Sequence, residues 1–142
     1  MGVDTPTEDY RTVTDPLGKI MFGEEDEERM AALIDFLTHH PKAAHVRLVR
    51  SERALFEIVP RGISKATSLH NLCRMFSLDP KRTVAVGDYD NDVEMLKEAA
   101  LGIAVANASP AAKAAADTET VPHTEHAIAR IIEALDKGEY RL

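Results

Sequence analysis

Apolar positions along the chain change period several times, and each change predicts an element. A short apolar run, Lys19–Phe22, reads as a strand. In 24–40 the apolar residues Met30, Leu33, Ile34 and Leu37 recur at helical spacing, with acids in the first turn and Pro41 closing the pattern. Two alternating stretches, 45–50 and 54–60, flank "SERA" and predict a hairpin. Residues 64–76 form a second helical pattern, with Ser64 as its cap and Leu69, Leu72, Cys73 and Phe76 on one face. After that the period settles into strand–helix alternation. Strand 82–88 precedes helix 91–99, and strand 102–107 precedes helix 110–116, where Ser109 is the cap and Pro110 takes the first helical position. A short extended piece, 118–122, then leads to helix 124–136. Such alternation implies parallel strands joined by right-handed crossovers. The fold class expected is therefore α/β, with a small α+β part over 1–61 and a doubly wound α/β part over 62–142. Residues 1–18, polar and turn-rich, read as a loose lead-in to the first part.

Composition narrows the function classes. The net charge is −7 and no basic cluster interrupts it, which argues against a nucleic-acid or anionic-membrane surface. No apolar run approaches the ~20 residues needed to span a bilayer. The N-terminus has no signal-peptide core, and a single cysteine excludes an intrachain disulfide. A reduced, cytoplasmic protein is expected. Cys73 lies in an apolar stripe, where inert packing is the expected role.

Charge concentrates at one place. In "VAVGDYDNDVEML" (84–96) a strand stops at Gly87, and Asp88, Asp90, Asn91 and Asp92 follow at once. Ligands of open parallel sheets bind beyond the carboxyl ends of the strands. Oxygen donors there suit a hard cation such as magnesium, which takes one or two carboxylates together with waters and a substrate phosphate. A calcium-binding EF-hand loop would need glycine where Val93 stands and glutamate where Ala99 stands, and it would follow a helix rather than a strand. None of the six histidines forms a helical pair at zinc-protease spacing, and no nucleophile elbow or P-loop occurs. A solvated turn with chance acids is the alternative that local sequence leaves open.

Three motifs, "FEIVPRGISKATSLHNL", "VAVGDYDNDVEML" and "GIAVANASPAAKAAAD", stand in that order, and together they resemble the haloacid dehalogenase (HAD) superfamily, in particular its Cof-like capped sugar-phosphate phosphatases. The resemblance spans residues 55–135 and, more weakly, 19–54. It implies a Rossmannoid parallel sheet forming the C-terminal half of a phosphatase core, preceded by part of an α+β cap. It implies Lys65 as the phosphate-side lysine that offsets charge during transfer. Asp88 would be the acidic ligand of an essential Mg2+, with Asp92 supporting the metal shell directly or through water and Asn91 a polar contact near metal or phosphate. Asn107 would be a phosphate- or substrate-side amide, its other reading being a turn-forming asparagine. Tyr89 and Asp90 fall at variable positions of the motif and read as loop surface.

The family's DxDxT nucleophile motif, which forms an aspartyl-phosphate, has no counterpart. The nearest stretch, "GVDTPT" (2–7), has Pro6 where the second aspartate belongs and only three residues ahead of Asp4. The serine/threonine motif of the family's second core strand has no convincing counterpart either. The expected reading is thus the C-terminal part of a phosphatase acting on small phosphate esters. The edge beside "TVAVGD" would be open to a second copy or to a complementing N-terminal half. The alternative is a non-catalytic derivative that binds a partner chain or a small phosphate without turnover.

Overall fold

The computed structural model describes residues 18–140, so most of the expected lead-in and the "GVDTPT" stretch lie outside the described residues. Two three-stranded sheets organise it. β1 (Ile20–Gly23), β2 (Val46–Glu52) and β3 (Leu55–Pro60) form an antiparallel sheet in the order β1-β3-β2. β4 (Val84–Gly87), β5 (Leu101–Val105) and β6 (Thr118–Thr120) form a parallel sheet in the order β4-β5-β6. The hairpin of β2 and β3 matches the expectation. Placing β1 on the other edge of β3 is a tertiary outcome, with Phe22 opposite Phe56 and Gly23 opposite Leu55.

The helices follow the apolar periods, with trimmed ends. α1 (Glu27–Thr38) starts later than residue 24, because the Asp26 carboxylate caps it by accepting from the N–H groups of Glu28 and Arg29. Met30 is the buried anchor of its apolar face. α2 (Lys65–Phe76) begins in a capping box. Ser64 Oγ accepts from Thr67 N–H at 3.1 Å, and Thr67 Oγ1 accepts from Ser64 N–H at 2.9 Å. Its expected stripe is only partly buried. Ala66 and Cys73 are inside, whereas Leu72, Phe76 and the neighbouring Met75 and Leu78 are exposed. The apolar pattern is helical, but the packing among the described residues covers one edge of it.

In the parallel unit α3 (Val93–Glu98) and α4 (Pro110–Ala115) pack on one face of the sheet through Leu96, Ala104, Ala108 and Ala112. Alternation along β4 and β5 places Ala85, Gly87, Gly102 and Ala104 on that face. Glycine is required at position 102, because a Cβ there would run into the carbonyl of Leu96. α5 (Ala127–Asp136) carries buried Ala127 and Ile131, while Ile128 and Ile132 on the same helix are exposed. It starts after a single 3-10 turn and a left-handed His126 (φ 57°), so the helical pattern from residue 124 is interrupted at its first turn. β4 pairs only with β5 among the described residues, so its other side is an open edge. No helix among the described residues is long and apolar enough to cross a membrane.

Candidate active site

The acidic loop takes shape because β4 ends at Gly87 and the chain folds into a 3-10 turn over Asp90–Asp92. This turn carries Asp92 back under the strand end. Asp92 is only 2% exposed, the one buried charged residue among those described. Its Oδ2 accepts from the backbone N–H of Asp88 at 2.9 Å and of Tyr89 at 3.3 Å. Its Oδ1 meets the ammonium of Lys65. A carboxylate so enclosed needs both kinds of partner, since a bare buried charge is prohibitively costly. Glycine at 87 makes the space: a Cβ there would lie 2.5 Å from Cβ of Asp92.

The other expected residues occupy distinct situations. Asp88 is exposed at the strand end, and no side-chain hydrogen bond engages its carboxylate among the described residues. Asn91 is half-buried and turns toward the antiparallel sheet, lining two cavities there. Asn107 sits after β5, where its Oδ1 accepts from the His123 N–H at 3.0 Å and its Nδ2 lies 2.6 Å from His123 Nδ1. An amide nitrogen can only donate, so Nδ1 of His123 is the acceptor and lacks a proton in this arrangement.

Two participants were not legible in the sequence. His123 lines a cavity of about 240 Å³ together with Lys65, Gly87, Asp88 and Asp92, although its sequence context suggests only a loop position. Asp90 is not idle surface: its Oδ1 accepts from Ser109 Oγ at 2.7 Å, and Ser109 N–H donates to the Asp88 carbonyl at 2.8 Å. These bonds tie the loop after β4 to the start of α4. The only available signal was Ser109 as the cap of α4, which its bond from Ala112 N–H bears out.

The antiparallel sheet faces this loop. Its site-side positions include Met21, Val49, Ser51 and Glu57, which line cavities of about 260 and 310 Å³ shared with Lys65 and Asn91. Arg47 on β2 reaches across to Glu94 on α3 at 2.7 Å and joins the two units. That bond holds the Glu94 carboxyl below its ordinary range, with burial opposing the shift. On the opposite side of the sheet, the bond from Arg50 to Glu27 on α1 (2.9 Å) raises the guanidinium's pKa further.

The residues at the loop suit a hard dication that keeps most of its water. Asp88 offers one carboxylate without another partner among the described residues, Asn91 adds an amide oxygen nearby, and Asp92 is already committed to Lys65 and two amides. No group of three or more His, Cys, Asp or Glu set to hold a metal occurs among the described residues. A magnesium ion needs no such cage, because one or two carboxylates plus waters and phosphate suffice.

Known proteins resemble this chain in sequence and fold. The sequence profile of the haloacid dehalogenase-like hydrolases matches residues 3–132. The 5-amino-6-(5-phospho-D-ribitylamino)uracil phosphatase YitU of Bacillus subtilis is 31% identical over 107 residues, covering 75% of this chain and 40% of YitU. A haloacid dehalogenase-like hydrolase from Bacteroides thetaiotaomicron superposes with TM-score 0.75 at 31% identity, over 92% of this chain and 49% of its own. The subclass IIB sugar phosphatase BT4131 does so with TM-score 0.67 at 25% identity, over 83% and 43%. The chain thus spans less than half the length of these relatives.

Proposed function

The chain belongs to the haloacid dehalogenase-like hydrolases, in their Cof-like branch, and from that premise we propose that it is the C-terminal part of a magnesium-dependent phosphatase of small phosphate monoesters, sugar phosphates included. The observation that carries this reading is the meeting of Lys65 with Asp92 beside Asp88, whose carboxylate has no partner among the described residues, at the carboxyl end of β4. Substrate names among the relatives, a ribityl phosphate and sugar phosphates, support the substrate class.

Each residue then has a defined task. Lys65, held in the first turn of α2, presents a fixed cation to the phosphoryl group and offsets its charge. Asp88 would hold the magnesium ion with help from Asn91, and the bound ion supplies Lewis-acid neutralisation of the phosphate oxygens. Asp92 fixes the Asp88 backbone and aims the ammonium of Lys65, so it supports the metal shell from behind. Asn107, oriented by His123, offers an amide on the substrate side. The attacking carboxylate comes from outside residues 18–140. The open edge of β4 is the place for a complementing N-terminal half, or in its absence a second copy. Exposed Leu72, Met75, Phe76 and Ile128 add apolar surface that favours association.

Purified chain is expected to bind magnesium and inorganic phosphate but not to hydrolyse p-nitrophenyl phosphate until a polypeptide equivalent to the relatives' remaining half is added. Turnover by the chain alone, abolished in Asp88→Ala, would overturn the placement of the nucleophile elsewhere. Binding with no turnover even after complementation would instead establish a non-catalytic phosphate binder.

A further inference from the structure

The antiparallel sheet presents a chemically specific face to the loop. Alternation along β3 places Leu55, Glu57 and Val59 on that side, and Glu57 stands at its centre, opposite Met21 of β1 and Val49 of β2. The Glu57 side chain is 15% exposed and lines both cavities shared with Lys65 and Asn91. Glu52 lines the larger one and has no ion-pair partner among the described residues. Ser51 lines it too, and its Oγ is buried without a hydrogen-bond partner among the described residues.

The cations of the two cavities are all committed to carboxylates. Lys19 pairs with Glu57 at 3.1 Å, Arg47 with Glu94 at 2.7 Å, and Lys65 with Asp92. A phosphoryl group arriving beside Asp88 engages Lys65. A second anionic group on the same molecule would find no unpaired cation among the described lining residues; it would face the unpaired carboxylate of Glu52 and a Glu57 that Lys19 offsets only from a half-exposed position. A hydroxyl group, by contrast, can donate to either carboxylate and exchange hydrogen bonds with Ser51 Oγ and the Asn91 amide. An orphaned buried hydroxyl such as Ser51 Oγ gains most from such a ligand.

We infer that Glu57 is a specificity-determining residue and that the substrate's leaving group is an uncharged, hydroxyl-bearing moiety rather than a carboxylate or a second phosphate. This rests on the phosphatase reading of the Asp88 loop, and it adds which monoesters that site selects.

A matched pair of ligands tests it. Glycerol 3-phosphate and 3-phosphoglycerate differ by one carboxylate in place of a hydroxymethyl group. Each is titrated by heteronuclear NMR into the 142-residue chain with magnesium chloride present, alongside inorganic phosphate. The polyol ester is expected to bind more tightly, by about five- to tenfold for one like-charge contact at a partly solvated depth. Glu57→Gln is expected to erase most of that preference, and Glu52→Gln, at an exposed position, to reduce it. Equal or tighter binding of 3-phosphoglycerate, or a preference that neither variant changes, would overturn the inference. Binding of inorganic phosphate with neither ester bound would overturn it while leaving the phosphate site standing. Absence of all phosphate binding would overturn the phosphatase reading as well.

Discussion

Breaking the Lys65–Asp92 pair should be strongly asymmetric, because its two ends are buried to different extents. Asp92 is 3% exposed at its side chain and Lys65 48%. Lys65→Met removes the cation and leaves a carboxylate buried against only two N–H groups. Stripping one partner from a buried pair costs roughly 3–5 kcal/mol. Since the ammonium is half in water and water can enter where it stood, about 2–3 kcal/mol is expected here. Asp92→Asn removes the charge but keeps a carbonyl oxygen for the Asp88 and Tyr89 amides, and the half-exposed lysine is free to hydrate. The loss is then one charge-assisted bond, about 1–2 kcal/mol. The double variant should therefore be more stable than Lys65→Met alone by about 1 kcal/mol, since it no longer buries an unpaired charge. Urea unfolding followed by circular dichroism, with a common slope across the variants, resolves such differences. A Lys65→Met protein as stable as the parent, or a double variant less stable than Lys65→Met, would refute the claim that Asp92 is a buried carboxylate dependent on this lysine.

Other outcomes follow from single contacts. Gly87→Ala must push Asp92 out of its seat, because the new Cβ would sit 2.5 Å from the Asp92 Cβ. A loss of about 2–3 kcal/mol in urea unfolding is expected, together with loss of magnesium-dependent shifts at the Asp88 and Tyr89 amides in NMR. For Glu94 the folded pKa is depressed below the ordinary 4.5 by Arg47, so the stabilisation is present above pH 4.5 and vanishes as pH falls through the lower folded value. Parent and Arg47→Met should differ by less than about 1 kcal/mol at pH 6, given an exposed pair, and converge toward pH 3. A gap that widens on acidification would contradict this sign. Met75→Ser with Phe76→Ser alters side chains that are 76% and 63% exposed. Stability should stay within about 0.5 kcal/mol, while any self-association seen by sedimentation velocity should weaken.

The local rules were readable wherever one residue and its near neighbours decide the outcome. Strand–helix alternation, the caps at Ser64 and Ser109, and a strand that stops at Gly87 before a cluster of acids depend on period, φ/ψ preference and short-range hydrogen bonds. All of them appear in the structure. Charge counting could not rank Asp88, Asp90 and Asp92, because their roles depend on partners far along the chain. Lys65 lies 27 residues from Asp92, and Ser109 lies 19 from Asp90. Only folding brings the start of α2 and the cap of α4 to the end of β4, which buries one aspartate, ties down the second and leaves the third exposed. The same holds for His123 on Asn107, for β1 beside β3, and for the half-covered stripe of α2. Periodicity states that a face is apolar, but only the packing of other elements states what covers it.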